Sequence, residues 1–154
     1  MSKEEKKLTK TLFYEIEQTA KYFKFLIAQL FDKFEIKIPI EKYVVMEILV
    51  EEKELCQRDI AKKILRDRAN TGKILASLEQ ENYIERFIDT KCGRLVKKIK
   101  LTKKGEDFLG EINTKLSDVK QYFECELMRE ERTKIIESLR KMRMFMKENV
   151  EIKI

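Results

Sequence analysis

The chain has 154 residues and a formal net charge of +6, from 34 Lys and Arg against 28 Asp and Glu, with no His. The lack of His excludes Ser-His-Asp and Cys-His catalysis and His-based metal sites, so the sequence predicts no enzyme, no metal and no cofactor. Charged residues make up 40% and hydrophobic residues 43% of the chain, a combination that suits amphipathic helices. Three widely spaced Cys and the lack of an apolar stretch of about 18 residues predict a cytoplasmic protein without a membrane segment.

The positive charge is concentrated in one third of the chain. Residues 53–104 carry 15 Lys and Arg against 7 Asp and Glu, a balance of +8, whereas the remaining residues carry −2. A basic segment of this kind is typical of a nucleic-acid-binding surface, although a solvated Lys-rich helix face would give the same balance. The charge distribution therefore favours a nucleic acid as partner.

Helical periodicity dominates the first part of the chain. Apolar residues recur every three or four positions from Leu8 to Phe34 and predict one long helix, which Pro39 ends. A second helix is predicted over Glu41–Val50.

Two shorter helices follow. One carries Ile60, Ala61 and Ile64 on its apolar face. The next is predicted to start at Asp67, a favourable N-cap residue, and to end before Asn82, which suits the left-handed conformation after a helix. Joined by a tight turn, they form a candidate helix-turn-helix.

The hydrophobic period then changes from that of a helix to that of a strand. Strands are predicted over Tyr83–Asp89 and Leu95–Leu101, joined by a basic turn over Asp89–Arg94. Thr102 is predicted to cap a further helix with an apolar stripe from Phe108 to Phe123, and a last helix carries a stripe from Met128 to Met146. The fold class is therefore mainly α with a small β-hairpin.

This order of elements is that of a winged helix-turn-helix, and the chain resembles the MarR family (multiple-antibiotic-resistance regulators) over residues 55–105. Gln57–Ala61 resembles the family's third-helix motif, and Asp67–Asn70 and Leu78–Arg86 resemble its recognition helix and the exit into the wing. Asp89–Arg94 and Ile99–Gly105 resemble its wing and the helix that follows.

The resemblance also implies the organisation of the chain. It predicts an N-terminal dimerisation helix over residues 1–36 and a DNA-binding lobe over residues 37–105. Residues 106–154 would supply the C-terminal helices that complete the dimerisation region.

The predicted DNA contacts lie on the second helix of the helix-turn-helix and on the wing. The N-terminal residues of a recognition helix lie nearest the bases, where Arg can pair with guanine and Asn with adenine, and a basic wing tip can reach the minor groove. The candidates are Arg66, Arg68, Asn70, Thr71, Lys73, Lys91, Arg94 and Lys98. Gly72 is explained equally by close approach to DNA and by packing on the neighbouring helix.

The resemblance assigns a support role in the wing to Asp89, which would brace Arg94. A second acidic residue usually precedes this Arg in the family, whereas the chain has Gly93 there.

Two kinds of signal could act on such a protein. Cys56, near a helix start, and Cys92, between basic residues, are candidate redox sensors, although the peroxide-sensing members carry their Cys near the start of the first helix. A small aromatic or lipophilic effector is the other candidate, with Tyr14, Tyr22 and Phe23 as pocket residues. Aromatic residues at helical spacing are also typical of a core or a dimer interface.

The predicted function is that of a homodimeric, sequence-specific regulator of transcription that binds a pseudo-palindromic site on double-stranded DNA. It would be a repressor that a small ligand releases. Two alternatives remain open at this point: a winged-helix module that binds proteins and does not read DNA, and a thiol-based redox-sensing regulator.

Overall fold

A computed structural model describes the backbone of residues 7–91, 93–126 and 129–149, and the side chains of these residues except 91 and 122–126. The chain divides into two compact units, Met1–Ile40 and Glu41–Ile154. This division concerns compactness alone, and the three functional regions 1–36, 37–105 and 106–154 stay a prediction.

The first unit contains one long helix, α1 (Leu12–Lys33), preceded by a short 3-10 helix (Leu8–Lys10). The sequence predicted a continuous helix from Leu8, and this start is wrong because Thr11 is extended, with φ −93° and ψ 147°. The Thr11 hydroxyl accepts a hydrogen bond from the backbone N–H of Tyr14 at 3.2 Å, so Thr11 is the N-cap of α1.

The second unit begins with three helices, α2 (Ile40–Glu52), α3 (Gln57–Ile64) and α4 (Arg68–Gln80). Asn82 follows α4 with φ 61°, which confirms the predicted left-handed residue, and the Tyr83 N–H bonds to the Leu78 carbonyl at 2.9 Å. These helices contribute most of the core. Its buried residues on them are Val45, Met46, Leu49, Ile60, Ala61, Leu75 and Leu78.

A small antiparallel sheet holds the hairpin against these helices. The strands β1 (Glu54–Leu55), β2 (Ile84–Lys91) and β3 (Arg94–Leu101) lie in the order β1-β3-β2. Lys91 pairs with Arg94, so the strands run further and the turn is tighter than the predicted Asp89–Arg94 turn. β1 pairs with Lys100 and Ile99 and was not predicted, because two residues are too few to show a strand period.

Two long helices complete the described chain, α5 (Lys103–Glu126) and α6 (Arg129–Asn149). The Thr102 hydroxyl accepts a hydrogen bond from the Gly105 N–H at 3.0 Å, which confirms the predicted cap. α5 buries Leu109, Ile112 and Leu116, whereas α6 buries none of its residues. The fold is mainly α with a small β-sheet, as predicted. In the part of the chain that the structure describes, no helix combines the length and apolarity that crossing a membrane requires.

Candidate nucleic-acid interface

The turn between α3 and α4 is tight and closed by backbone hydrogen bonds. Leu65 adopts a left-handed conformation with φ 52°, and the N–H groups of Leu65 and Arg66 both bond to the carbonyl of Ala61. α4 therefore starts three residues after Leu65, and its first residues emerge on the surface. Arg68, Asn70 and Lys73 are exposed.

The N-terminus of α4 is occupied by a carboxylate of its own chain. Asp67 accepts hydrogen bonds from the Asn70 backbone N–H at 2.8 Å and from the Asn70 side-chain amide at 2.5 Å. The hydrogen bond from the Asn70 backbone, and then the one from its side chain, hold the pKa of Asp67 below its usual range. A phosphate is therefore not needed at this helix end, and Asn70 must leave Asp67 before both ends of its amide can pair with a base.

Thr71 lies in the core and not on the exposed surface of α4. Its side chain has no solvent exposure, and its hydroxyl donates to the Asp67 carbonyl at 2.8 Å. A buried hydroxyl that is already bonded to its own helix cannot reach a base. The structure thus assigns Thr71 a packing role beneath the exposed residues, which differs from the predicted DNA contact.

Gly72 makes room for a side chain of α3. A Cβ atom at Gly72 would lie 3.2 Å from Nε2 of Gln57, which donates to the Arg68 carbonyl at 3.0 Å. Gln57 thereby links α3 to the first turn of α4. Of the two explanations of Gly72, the structure supports packing on the neighbouring helix.

The eight predicted contacts differ in whether their side chains are available. In the described residues, Arg68 and Lys73 form no ion pair, whereas Arg66 pairs with Glu41 of α2. Arg94 is exposed at the start of β3. Cys92 and the side chain of Lys91 lie outside the described part of the chain.

Lys98 is held between two carboxylates in the sheet. Its Nζ lies 2.5 Å from Asp89 Oδ2 and 3.0 Å from Glu54 Oε1. The hydrogen bond to Asp89, and then the one to Glu54, raise the pKa of Lys98. The positive charge of this predicted DNA contact is therefore compensated within the protein. Asp89 supports the wing through Lys98, and its bracing of Arg94 stays a prediction.

The register divides the wing, β2 and β3, into two faces. The lobe-side face carries the buried Ile84 and Ile99 at its base and Arg86, which bonds to Glu79 of α4 at 2.9 Å. Side chains alternate along strands, so the other face carries the residues between them. On this outer face Lys98 is paired with Asp89 and Lys100 with Glu85 at 3.1 Å.

Lys97 lies on the lobe-side face opposite Ile88 and is not among the eight predicted contacts. Lys97 is exposed and forms no ion pair among the described side chains. The alternation of β3 could have separated Lys97 from Lys98, because odd and even positions of a strand lie on opposite faces. What the sequence did not reveal is which of the two faces carries the compensating carboxylates.

The candidate signal residues that the structure describes are Cys56 and the aromatic residues of α1. Cys56 is the N-cap residue of α3, and its Sγ donates to Asp59 Oδ2 at 2.9 Å. This hydrogen bond is the main reason why the pKa of Asp59 lies below its ordinary value. On α1, Tyr14 is half-buried, whereas Tyr22 and Phe23 are 74% and 48% exposed. Their role in an effector pocket stays a prediction.

Comparison with known proteins agrees with this architecture. Residues 38–96 match the model of the MarR family. A search of curated proteins finds no match.

Solved structures match over nearly the whole chain. A MepR–DNA complex from S. aureus has 25% sequence identity and a TM-score of 0.70, over 92% of this chain and 96% of that chain. A MarR family transcriptional regulator from Silicibacter pomeroyi has 20% identity and a TM-score of 0.77, over 96% and 95%. NadR in complex with 4-hydroxyphenylacetate has 19% identity and a TM-score of 0.74, over 92% and 97%. These matches confirm the resemblance to the MarR family of winged-helix transcriptional regulators.

Proposed function

We propose that this MarR-family winged-helix protein is a homodimeric, sequence-specific DNA-binding repressor of transcription that a small ligand releases from its operator. The observation that carries the proposal is the exposed pair Arg68 and Lys73 on α4, which forms no ion pair among the described residues. It lies in the segment with a charge balance of +8. The MepR–DNA complex, at 25% identity, supports DNA as the partner.

Base recognition is assigned to Arg68, and Asn70 contributes once it leaves Asp67. Arg pairs bidentately with guanine in the major groove, and the first turn of the second helix of a helix-turn-helix lies nearest the bases. Lys73 is assigned to a phosphate contact. Arg94 is assigned to the contact of the wing with the minor groove. Arg66 joins them only if its ion pair with Glu41 opens.

The experiment that tests DNA binding begins with selection of bound duplexes from a random pool by the wild-type protein. Arg68→Ala is expected to weaken binding to the selected duplex about tenfold or more and to relax base preference at one position of each half-site. Glu51→Ala on α2, an exposed residue far in sequence from α4, is the matched control and should leave binding unchanged. Recovery of no duplex at low salt would favour the protein-binding alternative.

Dimerisation is supported by apolar surface that each unit leaves exposed. α1 exposes Leu12, Phe13, Tyr22, Phe23 and Phe25, each between 48% and 74%. α6, which buries no residue, exposes Ile135, Ile136, Met144, Phe145 and Met146 by 42–66%. Monomeric proteins rarely leave such apolar stretches in water, and a two-fold dimer places two recognition helices about 34–36 Å apart, one turn of DNA.

Dimerisation is tested by sedimentation equilibrium. Phe145→Glu should shift the protein toward monomer, because the partner helix would have to bury a charge. Lys141→Glu, a charge reversal at an exposed position of the same helix, should leave the dimer intact. A wild-type protein that sediments as a monomer at micromolar concentration would contradict this part of the proposal.

A cavity within the second unit is one candidate site for an effector, and the predicted aromatic residues of α1 in the first unit are the other. It has a volume of about 620 Å³, and apolar, polar and charged residues line it: Leu49, Val50, Lys53, Lys100, Leu101, Glu106, Leu109, Gly110 and Asn113. The apolar residues of this lining suit a small aromatic or lipophilic molecule, and Lys53 and Lys100 suit an acidic group on it. Since β3 is a wing strand, occupation of the cavity would act directly on the wing.

The effector assignment is tested with 4-hydroxyphenylacetate, the ligand named for NadR, and with a panel of aromatic acids. A true effector should raise the melting temperature of the free protein and lower its affinity for the selected duplex. Gly110→Leu, which fills the cavity, should abolish both effects if the ligand binds there, whereas Tyr22→Ala should abolish them if it binds at α1. A reporter gene under the selected duplex should be silenced by the protein and restored by that ligand.

A further inference from the structure

The lobe-side face of the wing ends in an apolar surface that the fold does not cover. Ile88 of β2 is 63% exposed, and Leu95 of β3, at 76%, is more exposed than any other large hydrophobic residue in the described part of the chain. The register pairs Ile88 with Lys97 and Thr90 with Leu95, so Ile88 and Leu95 are diagonal neighbours on one face. Leaving both in water has a cost, which points to a partner that covers them.

The charges around this surface indicate what the partner is. Lys97 shares the face with Ile88 and Leu95 and forms no ion pair among the described side chains. On the outer face Lys98 and Lys100 are paired with Asp89 and Glu85. The carboxylates of the wing thus compensate Lys98 and Lys100 on the outer face, where Arg94 is exposed at the tip. Lys97, beside the apolar pair, has no such partner among the described side chains. A partner that combines anionic groups with apolar edges fits this surface, whereas a purely anionic or a purely apolar partner fits only half of it.

The orientation of the face indicates that this partner also contacts α4. The Ile88 face continues into Arg86, whose Nε bonds to Glu79 of α4, and into the buried Ile84. The part of the face that carries Ile88 and Leu95 therefore lies on the side of the sheet that faces the recognition helix. Duplex DNA has the required chemistry, because phosphates alternate with the apolar edges of deoxyribose along each groove wall.

We infer that Ile88, Leu95 and Lys97 form a mixed contact with one wall of the DNA minor groove, in which the two apolar side chains lie against deoxyribose and Lys97 meets a phosphate. The inference rests on the proposed DNA-binding function and deepens it. It assigns to the wing a contribution to affinity that does not depend on salt. Only the Lys97 part of the contact releases counterions, because apolar contact involves none.

Four single variants separate the two components and the two faces. Leu95→Thr removes apolar surface and keeps a strand-forming residue, and Val96→Thr is its control on the outer face one position away. Lys97→Gln removes the proposed phosphate contact, and Lys100→Gln is its control on the outer face. Each protein is titrated with the selected duplex over a range of salt concentrations, and its folding is checked by thermal unfolding.

The apolar and the charged components of the contact should respond differently to salt. Leu95→Thr should weaken binding by about three- to tenfold at every salt concentration, with an unchanged slope of log K against log salt. Lys97→Gln should reduce the magnitude of that slope by about 0.9, and the two outer-face controls should leave affinity within about twofold. The inference is overturned if Leu95→Thr binds like wild type, or if Val96→Thr loses as much.

The failure of this inference is distinguishable from failure of the proposed function. If wild type binds the duplex and Arg68→Ala weakens it while Leu95→Thr does not, only the wing contact is refuted. If wild type binds no duplex, both are refuted. Loss of dimer on Leu95→Thr by sedimentation equilibrium would instead place a second copy of the chain on this surface and overturn the inference.

Discussion

The carbonyl oxygen of Tyr83 occupies the space that a Cβ atom on Gly105 would require. The same carbonyl accepts the Thr102 N–H at 3.0 Å, and the Tyr83 ring stacks on Phe108 with centroids 4.6 Å apart. Gly105 therefore allows the first turn of α5 to lie against the start of β2. This junction joins the base of the wing to the long helix that follows it.

Gly105→Ala is expected to destabilise the protein by about 3 kcal/mol, because a backbone carbonyl, unlike a flexible side chain, cannot rotate away from the new methyl group. Chemical denaturation measures the loss. Gly110→Ala is the matched control in the same helix, since a Cβ there meets no atom within 4 Å. It should raise stability by about 0.5–1 kcal/mol through helix propensity. Equal stability of the two variants would contradict the packing at Tyr83.

Local signals in the sequence predicted most of the second unit. Asp67 and Asn82 mark the ends of α4 because an N-cap carboxylate and a left-handed Asn act within a few residues of their own position. The start of α1 was predicted too early for a related reason. Apolar spacing continues through Thr11, and only the extended backbone of that residue shows that the regular helix begins after it.

The site was less predictable, because the availability of a charged side chain depends on residues distant in sequence. Lys98 is compensated by Glu54, 44 residues away, and Arg66 by Glu41, 25 residues away. Composition gives each of them a positive charge and says nothing of its partner. Thr71 shows the same limit, since its helical position alone does not reveal that it faces the core.

Thr71→Val should separate folding from DNA binding. The hydroxyl of Thr71 donates to the Asp67 carbonyl inside the core, so its removal is expected to cost about 1 kcal/mol of stability. Val keeps the shape of the buried side chain, so the affinity of the folded protein for its duplex should change by less than about twofold. Denaturation and a binding titration measure the two quantities. A large loss of affinity at unchanged stability would show that Thr71 contacts DNA after all.

The ion pairs of Lys98 predict a difference between two Lys residues that composition treats alike. Lys73→Gln should reduce the magnitude of the salt slope of DNA binding by about 0.9, because Lys73 is exposed and forms no ion pair among the described residues. Lys98→Gln should leave the slope unchanged, because its charge is already compensated by Asp89 and Glu54. Titrations over a range of salt concentrations measure both slopes. Equal changes in the two variants would indicate that Lys98 exchanges its carboxylates for a phosphate on binding.

A polar cluster between α2 and α5 predicts a pH dependence of stability. Tyr43 donates its hydroxyl hydrogen to Glu47 Oε1 at 2.6 Å and lies 3.0 Å from Asn113 Oδ1, which also accepts from Lys120 at 2.8 Å. Burial raises the pKa of Glu47, but hydrogen bonds from Tyr43 and Asn113 and the charge of Lys120 outweigh it, so the net pKa lies below the ordinary 4.5. Burial, and then the bond to Glu47, raise the pKa of Tyr43.

A carboxyl whose pKa is lower in the folded than in the unfolded state stabilises the fold above its unfolded pKa and loses that effect as pH falls through its folded pKa. Glu47→Gln should therefore be less stable than wild type by about 1 kcal/mol at neutral pH. The difference should shrink below pH 4.5, the ordinary value for this group, and vanish once Glu47 is protonated. Urea denaturation of both proteins across this range measures it. In a Tyr43→Phe background the neutral-pH difference should be smaller, because the strongest donor to Glu47 is gone, and a difference that stays constant with pH would contradict the charged role of Glu47.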